Sequence, residues 1–202
     1  LVEVTEEHYL KEATLVDWPT SSIWRIPAGE LIQDIEIDHA DSVFIAIYQG
    51  GESTIRAQAR YKLMGELIRS NFFTEIRTKQ QLGYSVNAFY SQLGRVPGFR
   101  MIIQSTSAGP KVLEERIDAF LVDQKDRIIS MSDEDFETVR QSVIYSLEQR
   151  DGSLSVRTDR LERALNLGYF GFDYNKRLAE ELKLLSKDEI VNLYQEVFFG
   201  ED

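Results

Sequence analysis

Two alternating segments open the readable part of the chain. Ile35 and Ile37 alternate with Asp34, Glu36 and Asp38, and after His39-Ala40-Asp41 the residues Val43, Ile45 and Ile47 keep the same period. Neighbouring side chains on a strand point to opposite faces, so a period of two predicts two strands, each turning its aliphatic residues toward a core. Gly50-Gly51-Glu52-Ser53 interrupts the alternation, with Ser53 placed to cap a helix. Met64, Ile68, Phe72 and Ile76 then recur at every fourth residue beside Leu63 and Leu67, which predicts a helix burying one stripe. From Tyr84 the period returns to two, and Tyr84, Val86, Ala88 and Tyr90 are expected on one face. A turn over Gly94-Arg95-Val96-Pro97-Gly98 leads to Phe99, Met101 and Ile103, the pattern of a hairpin with a longer loop.

After Ser107-Ala108-Gly109-Pro110 the pattern becomes helical. Leu113, Ile117 and Leu121 stripe one helix, and Ser132 with Asp135 resembles a capping box ahead of Phe136, Val139, Val143 and Leu147. Asp151-Gly152 ends that helix. A weaker stretch holds Leu161 and Leu165 and closes at Gly168-Tyr169-Phe170-Gly171-Phe172, and Ser186 with Glu189 caps a last helix carrying Ile190, Tyr194 and Val197. Strands, a helix, a hairpin and then a run of helices predict an α+β domain: a mostly antiparallel sheet with helices packed on one face. A closing strand could follow the last helix, so truncation of that strand at Asp202 is expected. Residues 1–22, with Trp18-Pro19-Thr20-Ser21-Ser22, read as a connector or the tail of a preceding domain, leaving 23–202 as the domain itself. The chain begins with neither Met nor a basic segment followed by an apolar one, and is expected to be an excised or processed piece of something longer.

Composition narrows the function classes. A net charge of −11 argues against a nucleic-acid surface and disfavours anionic membranes. No apolar run approaches the ~20 residues of a membrane-spanning helix. With no cysteine, disulfides, thiolate zinc sites and cysteine nucleophiles are excluded. The two histidines, His8 and His39, sit in neither H-E-x-x-H nor H-x-x-E-H, so no metal site is predicted within this chain. Neither a G-x-S-x-G elbow nor a glycine-rich phosphate loop occurs, and Gly50-Gly51 reads better as a strand-to-helix turn than as an anion site. Asp133, Glu134 and Asp135 fall in a helical first turn, where acids complement the dipole. By its own residues, the chain is not a self-sufficient enzyme.

The stretch 76–86 stands apart. Arg77 offers a planar fork of donors suited to a carboxylate or to peptide carbonyls. Tyr84 can donate a hydrogen bond to a developing oxyanion. At the two ends of one tight helix-to-strand turn they could project into a shared cleft. A blander reading stands beside this one: Arg77 offsets a helix C-terminus, and Tyr84 joins Val86 and Ala88 in the core.

Asn71-Phe72-Phe73-Thr74-Glu75-Ile76-Arg77-Thr78-Lys79-Gln80-Gln81-Leu82-Gly83-Tyr84, followed by Gly98-Phe99-Arg100-Met101-Ile102-Ile103-Gln104-Ser105, resembles the last domain of the insulinase/pitrilysin family of zinc metallopeptidases. Glu115 to Phe120, Met131 to Phe136 and Leu185 to Ile190 support the likeness, which runs from about residue 23 to the end. The resemblance implies four related α+β domains in two halves that enclose a chamber for short, unstructured peptides. It implies zinc bound by the first domain and none by the last. Carried over, Arg77 would bind substrate backbone or help hold the closed cleft, and Tyr84 would donate to the carbonyl oxygen as the tetrahedral intermediate forms. The expected partners are then the N-terminal catalytic half of the same chain and short peptide substrates, with neither nucleic acid nor membrane. Bacterial members being periplasmic, the periplasm is the expected compartment if the source is bacterial. The same family contains inactive halves, so a scaffold or peptide-binding module is the alternative reading.

Overall fold

The computed structural model describes residues 23–26 and 29–200. The expected connector 1–22 lies outside the described residues. The elements are strand β1 (Ser42–Gln49), helix α1 (Ile55–Phe72), a π-helical continuation (Phe73–Lys79), strands β2 (Ser85–Leu93) and β3 (Val96–Ser105), and helices α2 (Pro110–Ser130), α3 (Asp133–Glu148), α4 (Leu154–Asn166), α5 (Tyr174–Leu184) and α6 (Lys187–Phe199). The three strands form one antiparallel sheet in the order β1-β3-β2. The α+β class and the packing of helices on one sheet face are as expected.

Register decides which face is buried. Phe44, Ala46 and Tyr48 stand opposite Ile103, Met101 and Phe99, and those three β3 residues are wholly buried. The inward residues of β1 are therefore Phe44, Ala46 and Tyr48, while Val43, Ile45 and Ile47 point outward and are exposed. This inverts the sequence expectation. The larger rings win the inner positions: Tyr48 meets Phe198 edge-on at 4.7 Å, and Phe99 meets the same ring at 5.6 Å.

A second expectation also fails. Residues 31–37 do not join the sheet, and Ile35 and Ile37 are 72% and 56% exposed. Their alternation with acids gives amphipathic periodicity, but among the described residues no backbone group pairs with the outer edge of β1, and Trp24 and Ile26 bond only the Gln49 side-chain amide. An unpaired extended segment has no ladder to hold it as a strand.

On the inner face α1 is central, with Leu63, Met64, Ile68 and Phe72 fully buried, and Ile76 continuing the stripe through the π turn. Its cap is Thr54 rather than Ser53: the Thr54 hydroxyl accepts from the Ala57 N–H at 3.1 Å. The β2–β3 turn is also shorter than expected, since Leu93 pairs with Val96 around Gly94 and Arg95. Pro97 thus lies in β3, beyond the last β1 pair at Gln49 and Gly98, where a missing N–H disturbs only an edge. Helix α5, absent from the sequence reading, buries Leu178, Ala179 and Leu182. The Ser186 and Glu189 capping box of α6 forms in full.

Candidate functional site

The turn from α1 to β2 is shaped by three local constraints. The π-helical continuation ends with Gln80, whose N–H donates to the Glu75 carbonyl at 3.0 Å, and the Leu82 N–H reaches the Ile76 carbonyl at 3.1 Å. Gln81 then takes a left-handed conformation, φ 54°, which reverses the chain at some cost for a residue with a Cβ. Finally the Tyr84 N–H donates to the Gln104 carbonyl at 3.0 Å and locks the turn onto β3.

Arg77 sits near the end of the π segment with its side chain exposed. Its acidic neighbour Glu75 is already taken, by Lys79 at 2.9 Å and by the Gln80 amide at 3.1 Å. Among the described residues Arg77 has no ion-pair partner, so its five donors face outward. Its place in a last helical turn also sets its charge against the negative end of the helix dipole.

Tyr84 is not a core residue. It lies one position before β2 and is 52% exposed, whereas Val86 and Ala88 are buried. Its hydroxyl donates to Asp41 Oδ2 at 2.5 Å, and the Gln104 side-chain amide donates to the same oxygen at 3.0 Å. Asp41 immediately precedes β1, Gln104 is near the end of β3 and Tyr84 precedes β2, so the three meet at one end of the sheet. His39 completes the group: its Nδ1 accepts from the Asp41 N–H at 3.0 Å and lies 3.8 Å from Asp41 Oδ1. The bond to Asp41 raises the Tyr84 pKa above the usual phenol value. The bond from Tyr84, with help from Gln104 and His39, lowers the Asp41 pKa against a smaller opposing effect of burial.

The structure thus places Arg77 and Tyr84 on one connection, both exposed, with no hydrogen bond joining them. It adds Asp41, which no motif singled out, together with Gln104, quoted only as part of the second motif, and His39, weighed only as a metal ligand. The nearest thing to a signal was position, since Asp41 and Gln104 end adjacent strand segments. A separate cleft of about 840 Å³, lined among others by Arg150, Asp151, Arg157, Arg160 and Lys176, contains none of these residues. Among the described residues no three His, Cys, Asp or Glu side chains converge as metal ligands. The His39 and Asp41 pair does not fit a zinc site, which needs three or four such ligands.

A family profile described as PQQ synthase PqqF-like, C-terminal lobe domain 4, matches residues 63–162. The chain is 32% identical over 180 residues to a nardilysin-like protein of Arabidopsis thaliana, covering 85% of this chain and 18% of that one. It is 27% identical over 157 residues to Protease 3 of Salmonella typhi, covering 77% of this chain and 16% of that one. These residues therefore span less than a fifth of the curated relatives they match. Crystalline pitrilysin superposes with a TM-score of 0.73 and 25% identity over 82% of this chain and 18% of its own.

Proposed function

Since the chain belongs to the insulinase/pitrilysin family of peptidases as a domain of the C-terminal lobe, we propose that it completes a peptide-hydrolysing site whose zinc is held by another domain. The observation that carries this reading is the exposed turn from Arg77 to Tyr84, which presents a free guanidinium and a phenol at the open end of the sheet. Arg77 binds backbone carbonyls of a short, extended peptide, or helps hold the cleft shut around it. Tyr84 donates its O–H to the scissile oxygen as that oxygen gains negative charge. The gain is catalytic because it is larger in the transition state than in the bound substrate. The domain also walls part of the substrate chamber, and the N-terminal half of the same chain is its partner.

Three preparations test the reading by peptide hydrolysis: the intact peptidase, this domain alone and the remainder without it. Turnover by the intact chain, none by either part, and recovery on mixing the parts are the expected results. Undiminished turnover by the remainder alone overturns it.

A further inference from the structure

A phenol has one proton to donate, and that of Tyr84 is committed to Asp41 at 2.5 Å. In this arrangement only lone pairs of the Tyr84 oxygen face outward, and lone pairs repel a carbonyl oxygen. We propose that Asp41 is a positioning residue that holds the Tyr84 proton in reserve and yields it when the substrate oxygen becomes negatively charged. The proposal rests on Tyr84 being the donor to that oxygen.

The surroundings of Asp41 suit an exchange of acceptors. Its side chain is 11% exposed while Tyr84 is 52% exposed, so the phenol covers the carboxylate and is itself free to swing out. A carboxylate left behind by Tyr84 keeps the Gln104 amide on Oδ2, while His39 Nδ1, which accepts from the Asp41 N–H, donates nothing to it. It is not stranded without a donor, which would make the exchange prohibitively costly. The competition is also graded correctly. A neutral carbonyl is a weaker acceptor than a carboxylate, so bound substrate does not capture Tyr84. A tetrahedral oxyanion is a strong acceptor, and it does. Asp41 thereby confines the Tyr84 contact to the transition state, where binding accelerates the reaction.

Asp41→Asn in the intact peptidase isolates the effect, because the amide keeps the shape and its oxygen can still accept from Tyr84 and Gln104 without the charge. A weaker hold should lower KM and raise kcat/KM several-fold. Asp41 is the charged group facing Tyr84 among the described residues, and His39 is the titratable group facing Asp41. Without the carboxylate, Tyr84 ionises more readily, so the alkaline limb of the rate profile should move to lower pH. Both changes should vanish in a Tyr84→Phe background. A fall or no change in kcat/KM, or an equal rise in that background, overturns the proposal. Tyr84→Phe alone is read first: if it leaves kcat unchanged, the donor role of Tyr84 fails, a separate result from failure of the exchange.

Discussion

Gly83 lies so close to β3 that a Cβ on it would stand 2.6 Å from the Gln104 carbonyl oxygen and 2.8 Å from Ile103 Cγ2. That oxygen is the one the Tyr84 N–H uses, so the glycine lets the turn dock where Tyr84 is positioned. Neither neighbour can give way cheaply, because one is backbone and the other sits in the buried core. Gly83→Ala should therefore destabilise the fold by about 1–3 kcal/mol, as overpacking does. The shift of the urea midpoint, with the slope unchanged, measures it.

Tyr84→Phe in the intact peptidase removes one hydrogen bond donor and little else, since the ring is half exposed and buries no core surface. The expected loss in kcat is ~10²–10³, with KM changed much less. Steady-state kinetics on a short peptide decides it, and an unchanged kcat would remove Tyr84 from the reaction.

Arg77 should behave differently. With no ion-pair partner to strand among the described residues, Arg77→Ala should leave the unfolding free energy within about 0.5 kcal/mol of wild type, as read from the urea midpoint. Its effect should fall on peptide binding, seen as a raised KM. Arg77→Lys should recover little, because a point charge cannot replace a planar fork of donors on carbonyl oxygens. Full recovery by lysine would show that charge alone matters there.

The Glu189 carboxylate provides a pH test of stability. It accepts from the Ser186 N–H at 3.0 Å and from Arg56 at 2.5 Å, and these contacts lower its pKa below the usual glutamate value. A depressed folded-state pKa means that its stabilisation is full above the unfolded value of ~4.3 and is lost as pH falls through the folded value. Glu189→Gln should cost about 1 kcal/mol near neutral pH, the scale of a helix cap. Urea midpoints of the two proteins should converge as the pH is lowered toward 3. A gap that is constant with pH would assign the loss to packing instead.

Periodicity located the strands well enough, but it could not choose between their faces. In β1 both alternating sets are apolar, Val43, Ile45 and Ile47 against Phe44, Ala46 and Tyr48. The choice depended on register with β3, a partner whose residues follow more than fifty positions later in the chain. The alternation at Ile35 and Ile37 had no such partner, so pattern alone overpredicted a strand. Helix α5 was missed although Tyr174, Leu178 and Leu182 recur every fourth residue, because it starts straight after a glycine-rich loop with no side-chain cap from Asp173. Arg77 and Tyr84 were legible because a contiguous motif carries them both. Asp41 was not, since its bond to Tyr84 spans 43 positions and it lies in a stretch dense with other acids.

The outward row of Val43, Ile45 and Ile47 bears on how the domain behaves in a test tube or a cell. From Val43 to Tyr48 β1 carries no charge, proline or glycine. Its outer backbone edge has no hydrogen-bonded neighbour among the described residues, the bonds from Trp24 and Ile26 going to the Gln49 side chain. An uncharged, β-branched edge is a template for adding strands from other chains. The net charge of −11 opposes such association, but its reach shrinks to about 8 Å at physiological ionic strength. Salt and protein concentration will therefore govern whether preparations of this domain stay clear, more than its thermodynamic stability does.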